Sequence, residues 1–154
     1  KTHGFATSER DVFIRGVPIE VDLLIPRPDA VAENGLVYEP EDVLVVFEVK
    51  HSGVYSRDGR KGILACFTRI QDASPAVRCA YVTLIERRGY KWALTREQCG
   101  DGQRSFTLFW RGSSEEPSTF QASGDWETLL VFLRDAASRQ MCGSPAGGAA
   151  SDVQ

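Results

Sequence analysis

Histidine is scarce in this chain, with only His3 and His51, and the four cysteines (Cys66, Cys79, Cys99, Cys142) form no C-x-x-C pair. Together these exclude the usual structural zinc patterns. No apolar run approaches the roughly 18 residues a membrane helix needs, and no signal-peptide h-region opens the chain. P-loop, G-x-G-x-x-G, G-x-S-x-G and H-E-x-x-H stretches are all missing, which weakens nucleotide-binding, triad-hydrolase and zinc-protease assignments. Lysine is rare too: Lys1, Lys50, Lys61 and Lys91 stand against 14 arginines. Free cysteines in apolar helix and strand patterns behave as small hydrophobes, so the expected setting is reduced and cytoplasmic.

What is present suffices for one domain. The chain has 154 residues, 42% hydrophobic and 25% charged, close to the average of globular proteins. It begins at Lys1, so it is expected to be either processed or a piece of something longer. The net charge of −3 hides a strong asymmetry. Residues 1–49 carry −6, residues 50–111 carry +7 and residues 112–154 carry −4. A basic middle suits an anionic partner, or equally a set of solvated basic loops and a helix face.

Residues 11–15 (DVFIR) and 19–25 (IEVDLLI) read as a hairpin broken at Gly16-Val17-Pro18. Pro26, Pro28 and Asn34-Gly35 mark a long loop over about 26–42. Residues 43–50 (VLVVFEVK) are almost continuously apolar, as expected of a central strand buried on both faces. The spacing of Ile63, Phe67 and Ile70 predicts a helix over 57–72, with its start weakened by Gly59 and Gly62 and displaced toward Lys61. Ser56 or Asp58 could cap it. Strands are expected at 77–86 and 105–110, while 87–104 is ambiguous. A final helix over 125–138 is expected to bury Trp126, Leu129, Leu130, Leu133 and Ala137. The domain is taken as 1–140, with 141–154 a Gly/Pro/Ala-rich tail or linker stub. The expected class is α/β, a mixed sheet covered by helices.

Residues two apart on a strand share a face, so Glu20 pairs with Asp22 and Glu48 with Lys50. If those strands are neighbours, carboxylates and one ammonium converge near the end of a buried sheet. Buried charges must pair, reach solvent or bind a cation. Oxygen ligands with one lysine are what metal-assisted phosphodiester hydrolysis requires. Asp22 in IEVDLLI, then Glu48-Val49-Lys50 closing an apolar strand, then a helix and another strand, resembles the PD-(D/E)xK nuclease superfamily. An acidic-x-Lys triplet alone is weak, expected about 0.5 times by chance at this composition, but this one falls at the right strand end.

The resemblance covers roughly residues 10–86 and implies a restriction-endonuclease-like mixed central sheet flanked by helices. It further implies a nuclease that hydrolyses nucleic acid, with DNA the expected substrate. Asp22, Glu48 and the main-chain carbonyl of Val49 would hold Mg²⁺ or Mn²⁺, and Lys50 would be the catalytic lysine. Many members carry another acid on a helix before the first strand. Here only about ten residues precede that strand, with Glu9 the local candidate and Glu20 a substitute from the strand itself. Arg57, Arg60 and Lys61 are candidate nucleic-acid contacts, or a solvated helix start.

Simpler readings stand beside these. Glu48 and Lys50 could form a strand-end ion pair, and Asp22 could pair with Arg27. By alternation His51 points to the other face, where a packed or surface imidazole is expected. A catalytically silent member binding nucleic acid or a partner protein, a homodimer, and an interaction domain of a larger chain all fit the composition.

Overall fold

A computed structural model describes residues 8–52, 57–86, 99–112 and 119–141. Its strands are β1 (Glu9–Ile14), β2 (Val17–Pro26), β3 (Val37–Tyr38), β4 (Val43–Ser52), β5 (Arg78–Glu86), β6 (Gln103–Arg111) and β7 (Phe120–Ala122). Two helices, α1 (Arg57–Ala73) and α2 (Asp125–Met141), complete the described elements, with a 3₁₀ turn at Pro40–Asp42. The seven strands form one mixed sheet in the order β3-β1-β2-β4-β5-β6-β7. β4 therefore lies at the centre, as its unbroken apolar run requires. It pairs antiparallel with β2 and parallel with β5, and α1 makes the crossover between β4 and β5.

Alternation along the central strands feeds two cores. Val46, Cys79 and Tyr81 turn toward Phe67 and Ile70 of α1. Val45, Phe47, Ala80 and Val82 turn toward Leu129, Phe132 and Ala136 of α2, with Phe106 and Phe132 edge-to-face at 5.5 Å. The sheet thus has an α1 side and an α2 side.

The hairpin forms, but its turn is Arg15-Gly16, with Gly16 at φ 79°, and Val17-Pro18 belong to β2 rather than to the expected break. The long connection after β2 is not wholly irregular. Val37–Tyr38 add a two-residue parallel edge to β1, and Arg15 pairs with Glu33 and Glu39 to hold the loop down. α1 begins at Arg57 rather than near Lys61, because packing of Phe67 and Ile70 outweighs the local cost of Gly59 and Gly62. Asp58 lies inside its first turn, and Ser56 falls outside the described residues, as do 87–98 of the ambiguous stretch. β6 starts two residues earlier than expected, at Gln103, and β7 adds an edge strand that composition did not signal.

The buried face of α2 also differs from expectation. Leu129, Phe132 and Ala136 are inside, while Trp126 and Leu130 are 38% and 59% exposed. With six apolar residues among 126–133, periodicity alone could not decide which stripe meets the sheet. Asp125 fixes the start of α2: its carboxylate accepts the Thr107 N–H at 2.8 Å, and its own N–H donates to Ser123 Oγ at 3.1 Å.

Candidate active site

β2 and β4 exchange ladder hydrogen bonds only over Leu23–Pro26 and Val43–Phe47. Beyond Leu23 and Phe47 the strands part, β2 continuing beside β1 and β4 beside β5. That fork is where the register brings Asp22 level with Glu48. The Asp22 carboxylate fills the place of the lost ladder bond: Oδ2 accepts the Val49 N–H at 2.8 Å. Lys50 Nζ lies 3.5 Å from the same oxygen and 2.6 Å from Glu48 Oε1. Asp22, Glu48 and Lys50 are thus brought together, two from β4 and one from β2, on the α1 side of the sheet.

Their environment is half-wet. Side-chain exposure is 40% for Asp22, 22% for Glu48 and 41% for Lys50, so an incoming ligand can reach all three. Burial of the Lys50 ammonium works to lower its pKa and is the largest single influence. The hydrogen bond and charge of Glu48, joined by Asp22, together outweigh it and hold Lys50 above the ordinary lysine value. The group is therefore a firm cation at neutral pH. Cys66 of α1 looks onto the same carboxylates. Burial first, then the charge of Glu48 and Asp22, raises its thiol pKa against an opposing pull from Arg69. A raised thiol pKa disfavours the nucleophilic thiolate there.

Oδ1 of Asp22 and Oε2 of Glu48 accept no hydrogen bond among the described residues. These two carboxylates, 40% and 22% exposed, with the Val49 carbonyl between Glu48 and Lys50 in the chain, fit a hard cation that keeps most of its water. Among the described residues no three His, Cys, Asp or Glu side chains gather into a metal cluster, so the side-chain contribution stops at two carboxylates.

The other candidates separate. Glu20 is exposed and outside the triad, and Glu9 sits in β1 opposite Leu24. Asp22 does not pair with Arg27, whose guanidinium instead donates to the Glu41 carbonyl at 2.5 Å. Arg57 and Lys61 are exposed on the first turns of α1, while Arg60 is half-buried and engaged within the fold. His51 is exposed. Two residues of the site floor escaped sequence reasoning. Tyr81 and Thr83 of β5 lie beside Glu48 and Lys50 in the parallel ladder, and both are buried. Only the β4–β5 register, a non-local fact, could have located them.

No protein-family model matches the chain, and no curated protein matches it. Among solved structures it is similar to NucC from E. coli MS115-1 in its apo form, at a TM-score of 0.54 and 14% identity. The match covers 90% of this chain and 76% of NucC. At that identity the likeness speaks for the fold, which is a restriction-endonuclease-like α/β sheet.

Proposed function

We propose that this chain is a divalent-metal-dependent nuclease, hydrolysing phosphodiester bonds of DNA. The observation that carries the proposal is the fork between β2 and β4, which sets two carboxylates and one ammonium within hydrogen-bond reach where the two strands part. The likeness to NucC supports it at the level of fold.

In this reading Asp22 and Glu48, with the Val49 carbonyl, hold Mg²⁺ or Mn²⁺, which when bound supplies Lewis-acid stabilisation and a more acidic water. The chain's own residues do the rest. The Val49 N–H fixes the rotamer of Asp22. Glu48 and Asp22 keep Lys50 protonated, so its ammonium serves as a donor to the reacting phosphate and orients the attacking water. A firmly protonated lysine is a poor base, so the proton of that water passes to solvent or a phosphate oxygen. Arg57 and Lys61 line the approach electrostatically, which makes binding salt-sensitive.

The test is a substrate panel of plasmid, linear duplex, single-stranded DNA and RNA, incubated with Mg²⁺ or Mn²⁺. The wild type should cut DNA, and Asp22→Ala, Glu48→Ala and Lys50→Ala should each lose cutting while remaining folded. Full activity in Lys50→Ala would overturn the mechanism. A silent, binding-only domain is the second reading, favoured by the way Lys50 already pairs with both carboxylates. It predicts DNA binding without metal-dependent cleavage.

A further inference from the structure

α2 has a second face. Opposite the buried Leu129, Phe132 and Ala136 run Glu127, Leu130, Val131 and Arg134, at the i, i+3, i+4, i+7 spacing of one helical stripe. All four are exposed, Leu130 by 59% and Val131 by 52%. Among the described residues neither Glu127 nor Arg134 has an ion-pair partner. Two adjacent exposed aliphatic side chains bracketed by opposite charges form an ordered motif rather than scattered surface apolarity.

Read along the helix, the order is acid, apolar, apolar, base. Read backward with the charges exchanged, it is the same. A two-fold axis between Leu130 and Val131 therefore sets Glu127 of one copy beside Arg134 of the other, twice over, with Leu130 against Val131 at the centre. This is the isologous pattern in which residue i meets j and j meets i. Antiparallel alignment also opposes the two helix dipoles favourably. We propose that this stripe is a self-association surface, occupied by the same stripe of a second copy of the chain. Because the Asp22–Glu48–Lys50 cluster lies on the α1 side, such a pair carries its two clusters on its outer faces.

The experiment is sedimentation of the 154-residue chain from about 1 to about 200 µM. The wild type should shift from monomer toward dimer across that range. Glu127→Arg alone and Arg134→Glu alone each place like charges opposite one another and should weaken dimerisation at least about tenfold. Mixing the two variants in equal amounts should restore the dimer, since both contacts then join opposite charges. The double variant, with its charges simply exchanged, should dimerise like the wild type. Circular dichroism checks that each variant is folded. A wild type that stays monomeric throughout overturns the proposal and leaves the stripe to another protein or another part of a longer chain. Single reversals that dimerise normally, or a mixture that does not recover, overturn it as well.

Discussion

Replacing Lys50 with alanine separates what the lysine does for the fold from what it does for the site. Its ammonium contacts Glu48 Oε1 at 2.6 Å and Asp22 Oδ2 at 3.5 Å, and all three groups are partly exposed. Water reaches them, so each pair contributes only about 0.2–1 kcal/mol. Losing both, and leaving two carboxylates side by side, should cost about 1–2 kcal/mol. In a chain of this size that lowers Tm by about 3–6 °C. Because Lys50 is held above the ordinary value of 10.5, this stability is present through neutral pH and is lost as pH rises through the raised value.

Metal binding should move the other way. The ammonium sits on the same two carboxylates, at Asp22 Oδ2 and Glu48 Oε1, so its charge opposes a cation at their other oxygens, and removing a positive charge a few ångströms away is worth about a factor of ten in affinity. Lys50→Ala should therefore bind Mn²⁺ about tenfold more tightly while hydrolysis falls at least about 100-fold. Urea denaturation, calorimetry and the cleavage panel read the three quantities on one variant. A loss above about 4 kcal/mol would instead make Lys50 a pillar of the fold. Unchanged or weaker Mn²⁺ binding would show that the Lys50 charge does not oppose a cation at these carboxylates.

Other consequences are more local. Phe67→Ala empties a site 1% exposed between α1 and the sheet and should cost about 3–5 kcal/mol in denaturant titration. Gly102→Ala should destabilise clearly, because φ is 75° and the added Cβ would stand 2.6 Å from Gln71 Nε2, which is held by the Val77 and Asp101 carbonyls. A second Gln71→Ala change would relieve the clash and not the backbone strain, so stability should not fully return. Burial pushes the Cys79 thiol from 9.0 up to about 12. It should carry roughly a thousandfold less thiolate than a free cysteine at pH 8, and alkylation kinetics should find it nearly inert until the chain unfolds.

Much of this was legible from local pattern. VLVVFEVK could only be a central strand, and Asp22 faces Glu48-x-Lys50 because hairpin order makes β2 and β4 neighbours, although both strands run on past the residues expected to end them. The fork that gathers this candidate site was not legible, since it depends on where two ladders diverge. Tyr81 and Thr83 were hidden for a related reason: parallel register is set by the α1 crossover, not by either strand alone. β3 has two residues and exists because β1 offers it an edge, so propensity had nothing to detect. The face of α2 was misjudged because its run of apolar residues is too dense for one stripe to stand out, and that same density leaves Leu130 and Val131 in solvent.

The central claim is that Asp22 and Glu48 share one cation. Calorimetric titration of Mn²⁺ into the wild type, beside Asp22→Ala and Glu48→Ala, tests it without assuming a substrate. The account predicts one binding event in the wild type that disappears in both variants. Binding that survives either substitution, or no binding to the wild type, would contradict it.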